Sequence, residues 1–441
     1  MKFSKIAATL AVSGLTAVSL AACSSGGGET TTNADGATVV TFWHSSSGAG
    51  GETLEALVDE FNQEHTGEIE VQASFQGSYE DAISKFIASV QTGDLPALIQ
   101  ASDVQTRYMK DSGLVMPAEE LSARSGEYDF DSLIPAVSNY YTMDDTVYSM
   151  PAMVSQPAMY TNDDALTAAG VDPESLKTVE GLLDAAERIH DVTGKAGLTF
   201  HHSGWYMEQF GSALGQQWCS PENGVGAQPA DSFNIDTPEM VDAWTRIGEL
   251  YELGAIQNPG KDGSAATGAF VSGEAAIQLN SSGGYGNVAS AAPTFDWSIR
   301  SLPRNTEEAG AVPGGNSLWA IEEGHSEDVQ NATWEFMKFI GSDESQERIF
   351  IETGYLPTTE GAQAGLADLT PQQEGLIDQL STTPVNTVTA GCHSGALNDA
   401  RQSYQTAMSS IANNGDAQSA INDAQQGADA AIASYNDRAG N

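Results

Sequence analysis

Positive charge is scarce in this chain: 17 Lys and Arg stand against 60 Asp and Glu, a formal net charge of −43. Such a field repels polyanions, which excludes nucleic acid and anionic lipid as partners held by bulk electrostatics. An anionic ligand would need a local positive site to overcome it. Otherwise the excess acid reads as solubility in a salty or acidic medium. Cysteine is scarce too, with three residues at 23, 219 and 392, so a disulfide-dense scaffold is excluded. Past the N-terminal segment no apolar run is long enough for a transmembrane helix. No G-x-S-x-G, H-E-x-x-H or lysine-bearing Walker loop occurs, which removes three common routes to catalysis. His201-His202 suggests a metal pair, but adjacent strand residues face opposite ways. It reads as pocket-lining or surface histidine, and neither metal nor cofactor is expected.

What is present starts with Lys2 and Lys5, an apolar stretch over 6–20, and Ala21-Ala22 before Cys23. That order reads as a signal peptide over 1–22, because the apolar run is too short to cross a bilayer stably. The Leu20-Ala21-Ala22-Cys23 ending resembles the bacterial lipoprotein box. The resemblance implies cleavage before Cys23, acylation of its thiol, and a mature chain anchored at the extracytoplasmic face of the bacterial cell membrane. Residues 23–37, the lipidated Cys and a Ser/Gly/Thr-rich stretch, read as a flexible tether. Cys219 and Cys392 are then left, and an exported chain permits one disulfide between them. Two separate buried thiols are the other reading.

From Thr38 the pattern turns globular. Residues 39–43 read as a buried strand, 52–64 as an amphipathic helix, 69–75 as a strand, 81–90 as a helix and 97–100 as a short strand. A β-α-β-α-β run implies a parallel sheet faced by helices. Ligands in such sheets sit beyond the carboxyl ends of strands, which points to loops 43–51, 76–80 and 100–104. A second alternating set has helices at 179–189 and 240–253 and a strand at 275–279. Asp163 is placed to cap the helix after it. The final third reads as helices at 328–340, 344–351, 398–411 and 417–433, the last two weakly hydrophobic and expected to coat a surface. About 400 mature residues suffice for two lobes, each with its own core.

Aromatic and small polar residues gather in loops expected to line one cleft: Trp43-His44-Ser45, Gly77-Ser78-Tyr79, Ser155-Gln156-Pro157, Trp205-Tyr206, Ser281 to Gly284 and Gly354 to Pro357. Rings, hydroxyls and exposed backbone N–H groups suit a polyhydroxylated ligand. In order, F-W-H-S (42–45), D-E-F-N (59–62), G-S-Y-E (77–80), T-G-D-L-P-A-L-I-Q (92–100), S-S-G (281–283), G-G-N-S-L-W (314–319), T-G-Y-L-P (353–357) and the 391–401 segment resemble the solute-binding lipoproteins of ABC-type importers. They are most similar to the sn-glycerol-3-phosphate-binding branch.

The resemblance implies a two-lobed α/β fold of the periplasmic-binding-protein type, with a hinge and an interlobe cleft. Lobe I is expected at 38–150 plus 283–322, and lobe II at 151–282 plus 323–441. The implied ligand contacts are Tyr79, Asp103, Ser155, Trp205, Ser281, Gly315, Tyr355 and Arg401. Asp103, shorter than the branch's usual Glu, would take glycerol hydroxyls. Arg401 would bind the anion, with Ser281 and the Gly315 N–H completing the cradle. Cys392-His393 stands where the branch often has Leu-Arg, which removes one positive charge. The implied activity is not enzymatic. A monomer would capture glycerol-3-phosphate or a glycerophosphodiester, close by hinge motion, and deliver the solute to permease subunits. A neutral oligosaccharide is the alternative ligand. A secreted hydrolase would need paired carboxylates at strand ends, and Asp103 stands alone.

Overall fold

The computed structural model describes residues 32–226 and 228–439. The signal segment, Cys23 and the tether as far as residue 31 lie outside them. The rest of the expected tether is a turn, not flexible chain. The Asn33 side chain accepts from the N–H groups of Asp35 and Ala37 and donates to Glu70. An Asn that binds its own backbone in this way stabilises a turn.

The strands that matter are β1 (Thr38–His44), β2 (Ile69–Phe75), β3 (Leu98–Ser102), β4 (Val115–Met116), β5 (Met150–Ser155), β6 (Pro157–Asn162), β7 (Ala196–Thr199), β8 (Ile256–Gln257), β9 (Ala275–Ser281), β10 (Trp297–Ser301) and β11 (Gly314–Ile321). They form two sheets. The first runs β2-β1-β3-β11-β4, with β5 also on β11, and the second runs β8-β7-β9-β6-β10. β1 to β3 are parallel, as expected, and β11 runs against β3, β4 and β5. Every residue of β5 and β6 is buried, so neither shows the alternation of a half-exposed strand.

Helices α1 (Gly48–Glu64) and α2 (Tyr79–Thr92) join the parallel strands. Leu54, Leu57, Val58 and Phe61 form the buried stripe of α1. A capping box starts α2: Ser78 accepts from the Asp81 N–H, and Asp81 accepts from the Ser78 N–H. Gly93, with a φ of 75°, ends it. The remaining helices used below are α3 (Thr106–Asp111), α4 (Pro135–Tyr141), α5 (Val179–Thr193), α6 (Gly204–Ala213), α7 (Pro238–Leu253), α8 (Glu327–Ile340), α9 (Asp343–Thr353), α10 (Pro371–Thr382), α11 (Leu397–Ile411) and α12 (Ala417–Ala439).

Sheet membership corrects the expected lobe boundaries. β5 belongs to the first sheet, so the switch falls at Gln156 and not after residue 150. β10 pairs with β6 in the second sheet, although 283–322 was expected in lobe I. Val329, Phe336 and Ile340 of α8 and Ile349 of α9 share a core with Val40, Phe42 and Leu57, although 323–441 was expected in lobe II. Periodicity shows that a segment has an apolar face; it does not show which sheet that face meets. The chain thus crosses between lobes at Gln156, between β10 and β11, and between α9 and α10. Gln156 is fully buried at the first crossing, and its N–H donates to the Ser282 hydroxyl and its Nε2 to Thr383 Oγ1.

Two other expectations change. α11 and α12 pack on each other and not merely on a surface: Leu397, Tyr404, Met408, Ile411, Ile421 and Ile432 enter the second lobe's core. Buried Ala400, Ala407, Ala420, Ala424 and Ala428 line the contact, so low sequence hydrophobicity here reflects close alanine packing. Asp163 does not cap its helix; Asn162 does, accepting from the Ala165 N–H. Asp163 instead pairs with Arg300 at 2.9 Å. Cys219 and Cys392 form a disulfide, with Cα atoms 5.6 Å apart, that ties the 219–220 strand to the loop before α11.

Candidate functional site between the lobes

β3 ends at Ser102, and the next residue, Asp103, points its carboxylate at the second lobe. There it meets Arg401 of α11, whose Nη2 donates to Asp103 Oδ2 at 2.9 Å. The same guanidinium grips Glu208 of α6 in a fork, Nε to Oε1 at 2.7 Å and Nη2 to Oε2 at 2.7 Å. Gly204 makes the approach possible: a Cβ there would lie 2.7 Å from Arg401 Cγ. All three charged side chains are largely buried. Burial pushes the Glu208 carboxyl up, against the pull of Arg401. Burial disfavours the guanidinium's charge, but the two carboxylates outweigh it and raise its pKa. Arg401 therefore does not wait with an open positive charge, as the anion expectation required; one cation faces two carboxylates. Tyr140 of α4 donates its hydroxyl to the Asp103 carbonyl at 2.9 Å. The Tyr141 hydroxyl, near Asp103, is buried with no partner among the described residues.

The other end of the cluster carries no charged side chain among the described residues. Tyr79 opens α2, and its hydroxyl accepts from Asn316 Nδ2 at 2.9 Å. Burial raises the pKa of both Tyr79 and its neighbour Tyr355, so both hydroxyls stay protonated. Tyr355 lies against Gly283, where a Cβ would sit 2.7 Å from the ring's Cε1 and Cζ. Trp205 stands in the first turn of α6, not in a loop as expected. A Cβ on Gly314 would lie 3.1 Å from Trp205 Nε1 and 3.6 Å from Ser155 Oγ, so these two donors flank Gly314. Neither has a hydrogen-bond partner among the described residues. The Ser281 hydroxyl oxygen accepts from the Gly283 N–H at 3.2 Å.

All eight residues expected to touch ligand thus lie in one linked cluster between the lobes. Gly315 is there for a different reason from the one expected. Its φ is +90°, and a Cβ would lie 2.1 Å from the Met153 carbonyl oxygen. Only glycine fits this close passage of β11 past β5, just before their register shifts between Asn316 and Ser317. Sequence reasoning missed Glu208, Asn316 and Tyr141. Glu208 stands three residues after Trp205, hence on the same helix face, but reading 205–206 as loop hid that relation. A separate cavity of about 870 Å³ lies on the flank of β10 and α10, lined among others by Lys177, Arg300 and Arg304. It shares no residue with the cluster.

Comparison with known proteins accords with this geometry. A bacterial extracellular solute-binding protein family matches residues 56–375. The sn-glycerol-3-phosphate-binding periplasmic protein UgpB of Escherichia coli (strain K12) is 30% identical over 350 residues, 77% of this chain and 78% of that protein. UgpB from Mycobacterium tuberculosis, solved in complex with glycerophosphocholine, superposes with a TM-score of 0.76 at 18% identity, covering 90% of this chain and 99% of that one. The GacH receptor of Streptomyces glaucescens GLA.O, solved unliganded and with acarbose, superposes at 0.74 and 20% identity, with 90% and 99% covered. At such identities the two structures establish a shared fold, the two-lobed architecture.

Proposed function

This chain belongs to the bacterial extracellular solute-binding protein family, and on that premise we propose that it captures a glycerol phosphate between its lobes for an ABC importer. Glycerol-3-phosphate and glycerophosphodiesters are the ligands proposed first. The observation that carries the proposal is the convergence of Tyr79, Ser155, Trp205, Tyr355 and the Asp103–Arg401–Glu208 triad from both lobes. Its chemistry suits a polyol. Asp103 accepts from a hydroxyl while Arg401 donates to the same or the adjacent one, so vicinal hydroxyls are read in pairs. Ring faces of Trp205, Tyr79 and Tyr355 cover the C–H side of the ligand. Phosphate oxygens would meet uncharged donors, the Ser155 hydroxyl, the Trp205 N–H and the tyrosine hydroxyls, because Arg401 is already compensated. Tyr79, Asp103, Ser155, Trp205, Ser281, Tyr355 and Arg401 are the proposed contacts, with Gly315 shaping the wall. We place the mature protein as a monomer anchored through Cys23 at the outer face of the cell membrane, delivering solute to permease subunits.

One observation favours a second reading. The cluster holds one guanidinium against two carboxylates, in a chain of net charge −43, and a neutral oligosaccharide would not meet that field. A thermal-shift panel of glycerol-3-phosphate, glycerophosphocholine, maltose and glycerol separates the readings, since a ligand of the folded state raises the melting temperature. Stabilisation by maltose alone would replace the phosphate reading with the sugar one. Release of a Cys23→Ser variant from membranes tests the anchor.

A further inference from the structure

Helix α6 carries one charged side chain, Glu208, and buries it; of the ten residues of the helix only Trp205 keeps part of its surface. The other polar side chains of α6 serve the fold. Gln209 donates to the Val312 carbonyl at 3.0 Å and accepts from the Val312 N–H at 2.9 Å. Ser212 donates to the Gly310 carbonyl. Glu208 ties down no segment of backbone: both of its oxygens go to Arg401. A buried ion pair adds little stability over a well-packed apolar pair of similar volume. Stability therefore does not account for a carboxylate at this place.

What the pair does change is the guanidinium. Arginine recognises phosphate by presenting two N–H groups in parallel. In Arg401 that fork is taken: Nε and Nη2 are given to Glu208, and Nη2 also to Asp103. Nη1 makes no hydrogen bond among the described residues, so a single-point donor is left, suited to a hydroxyl and not to the paired oxygens of a phosphate. The charge changes as well. Arg401 and Asp103 alone would cancel, whereas Glu208 leaves one guanidinium against two carboxylates. Glu208 also lies one helical turn from Trp205, on the same face of α6. A phosphate held at the Trp205 N–H and the Ser155 hydroxyl stands in the field of that carboxylate, in a cleft where water screens it poorly.

We propose that Glu208 sets the charge specificity of the cleft: by occupying the fork of Arg401 it turns an anion site into a hydroxyl site, which admits a phosphodiester, with one charge, in preference to a phosphomonoester, with two. This rests on the interlobe binding reading above and narrows it. Titration calorimetry on the mature chain tests it with glycerol-3-phosphate and its methyl ester, at about pH 8, where a monoester with a second pKa of about 6 is a dianion. The wild type should bind the methyl ester about tenfold tighter or more, the effect of one extra charge in a poorly screened site. Glu208→Gln keeps the shape and removes the charge, and it should bring the ratio close to one by tightening glycerol-3-phosphate. Glu208→Asp keeps the charge and should retain the preference. A merely structural role would weaken both ligands alike and leave the ratio where it was. A wild-type ratio near one, or a ratio that Glu208→Gln leaves unchanged, overturns the assignment of Glu208 and leaves the interlobe reading standing. The wild-type ratio needs no variant, so it stays decisive should the melting temperature of empty Glu208→Gln show that it does not fold. If neither ester binds to wild type or variant while maltose does, the phosphate reading and the role of Glu208 fall together. If maltose fails too, the interlobe reading falls with them.

Discussion

The two ends of the cleft solve opposite problems. At the Arg401 end, three buried charges satisfy one another across the lobe boundary. At the Trp205–Ser155 end no charged side chain stands among the described residues, and two donors are without partners among them, beside a glycine-lined wall. The first end is costly to disturb and already satisfied; the second is inexpensive to disturb and unsatisfied. A ligand must therefore gain at the second end what it cannot gain from bulk electrostatics, and must fit among hydroxyl-matching groups at the first. The contrast also separates stability from binding, because mutations at the two ends should fall on different measurements.

The largest effect belongs to the charged end. Arg401→Ala leaves Glu208 and Asp103 buried without their cation, a loss of about 3–5 kcal/mol for one partner of a buried pair. Urea unfolding of the empty protein should show it, and a near-normal midpoint would mean the triad is far better hydrated than it looks. Acid tests the same end from behind. His393 packs on Tyr140, ring centroids 4.9 Å apart, and Tyr140 holds the Asp103 carbonyl. Burial lowers His393 to about 4. Unfolded, it binds a proton near pH 6.5, so stability is fully present above that value and drains as pH falls toward 4. The loss reaches on the order of 3 kcal/mol. The nearby positive charges of Arg107 and Lys110 lower its pKa further. His393→Gln should flatten this limb of the pH–stability curve.

The uncharged end should respond in binding. Trp205→Ala should weaken the ligand by about 1–3 kcal/mol, as for an aromatic anchor in a desolvated pocket. Ser155→Ala should cost about 1 kcal/mol of affinity and leave unfolding unchanged, because its hydroxyl has no partner among the described residues. Calorimetry beside urea curves reads both. A Ser155→Ala variant that loses stability but not affinity would reverse the division of labour between the ends.

Much of this was legible before any coordinates. Leu54, Leu57, Val58 and Phe61 announced α1 by spacing alone, and the parallel β1–β3 order followed from alternating patterns. The residues expected to touch ligand were legible as an ordered set of motifs, and the structure brings them near one another. Three things were not. Lobe membership of 151–155, 297–301 and 327–353 depends on long-range strand pairing and helix packing, which local periodicity does not encode. Gly315 looked like a place for ligand, whereas its positive φ and the Met153 carbonyl explain it. Arg401 looked like a free charge because its partners lie 193 and 298 residues away, and nothing in a linear pattern marks them.

The central claim is that solute is held between Trp205, Tyr79 and the Asp103–Arg401–Glu208 triad. A crystal structure of the mature chain saturated with glycerophosphocholine tests it most directly. The account predicts ligand density between the lobes, with a glycerol hydroxyl within hydrogen-bond distance of both Asp103 and Arg401 and the phosphate oxygens near Ser155 and the Trp205 indole nitrogen. Ligand seated in the cavity beside Lys177, Arg300 and Arg304, or an interlobe cluster empty at saturation, would contradict it.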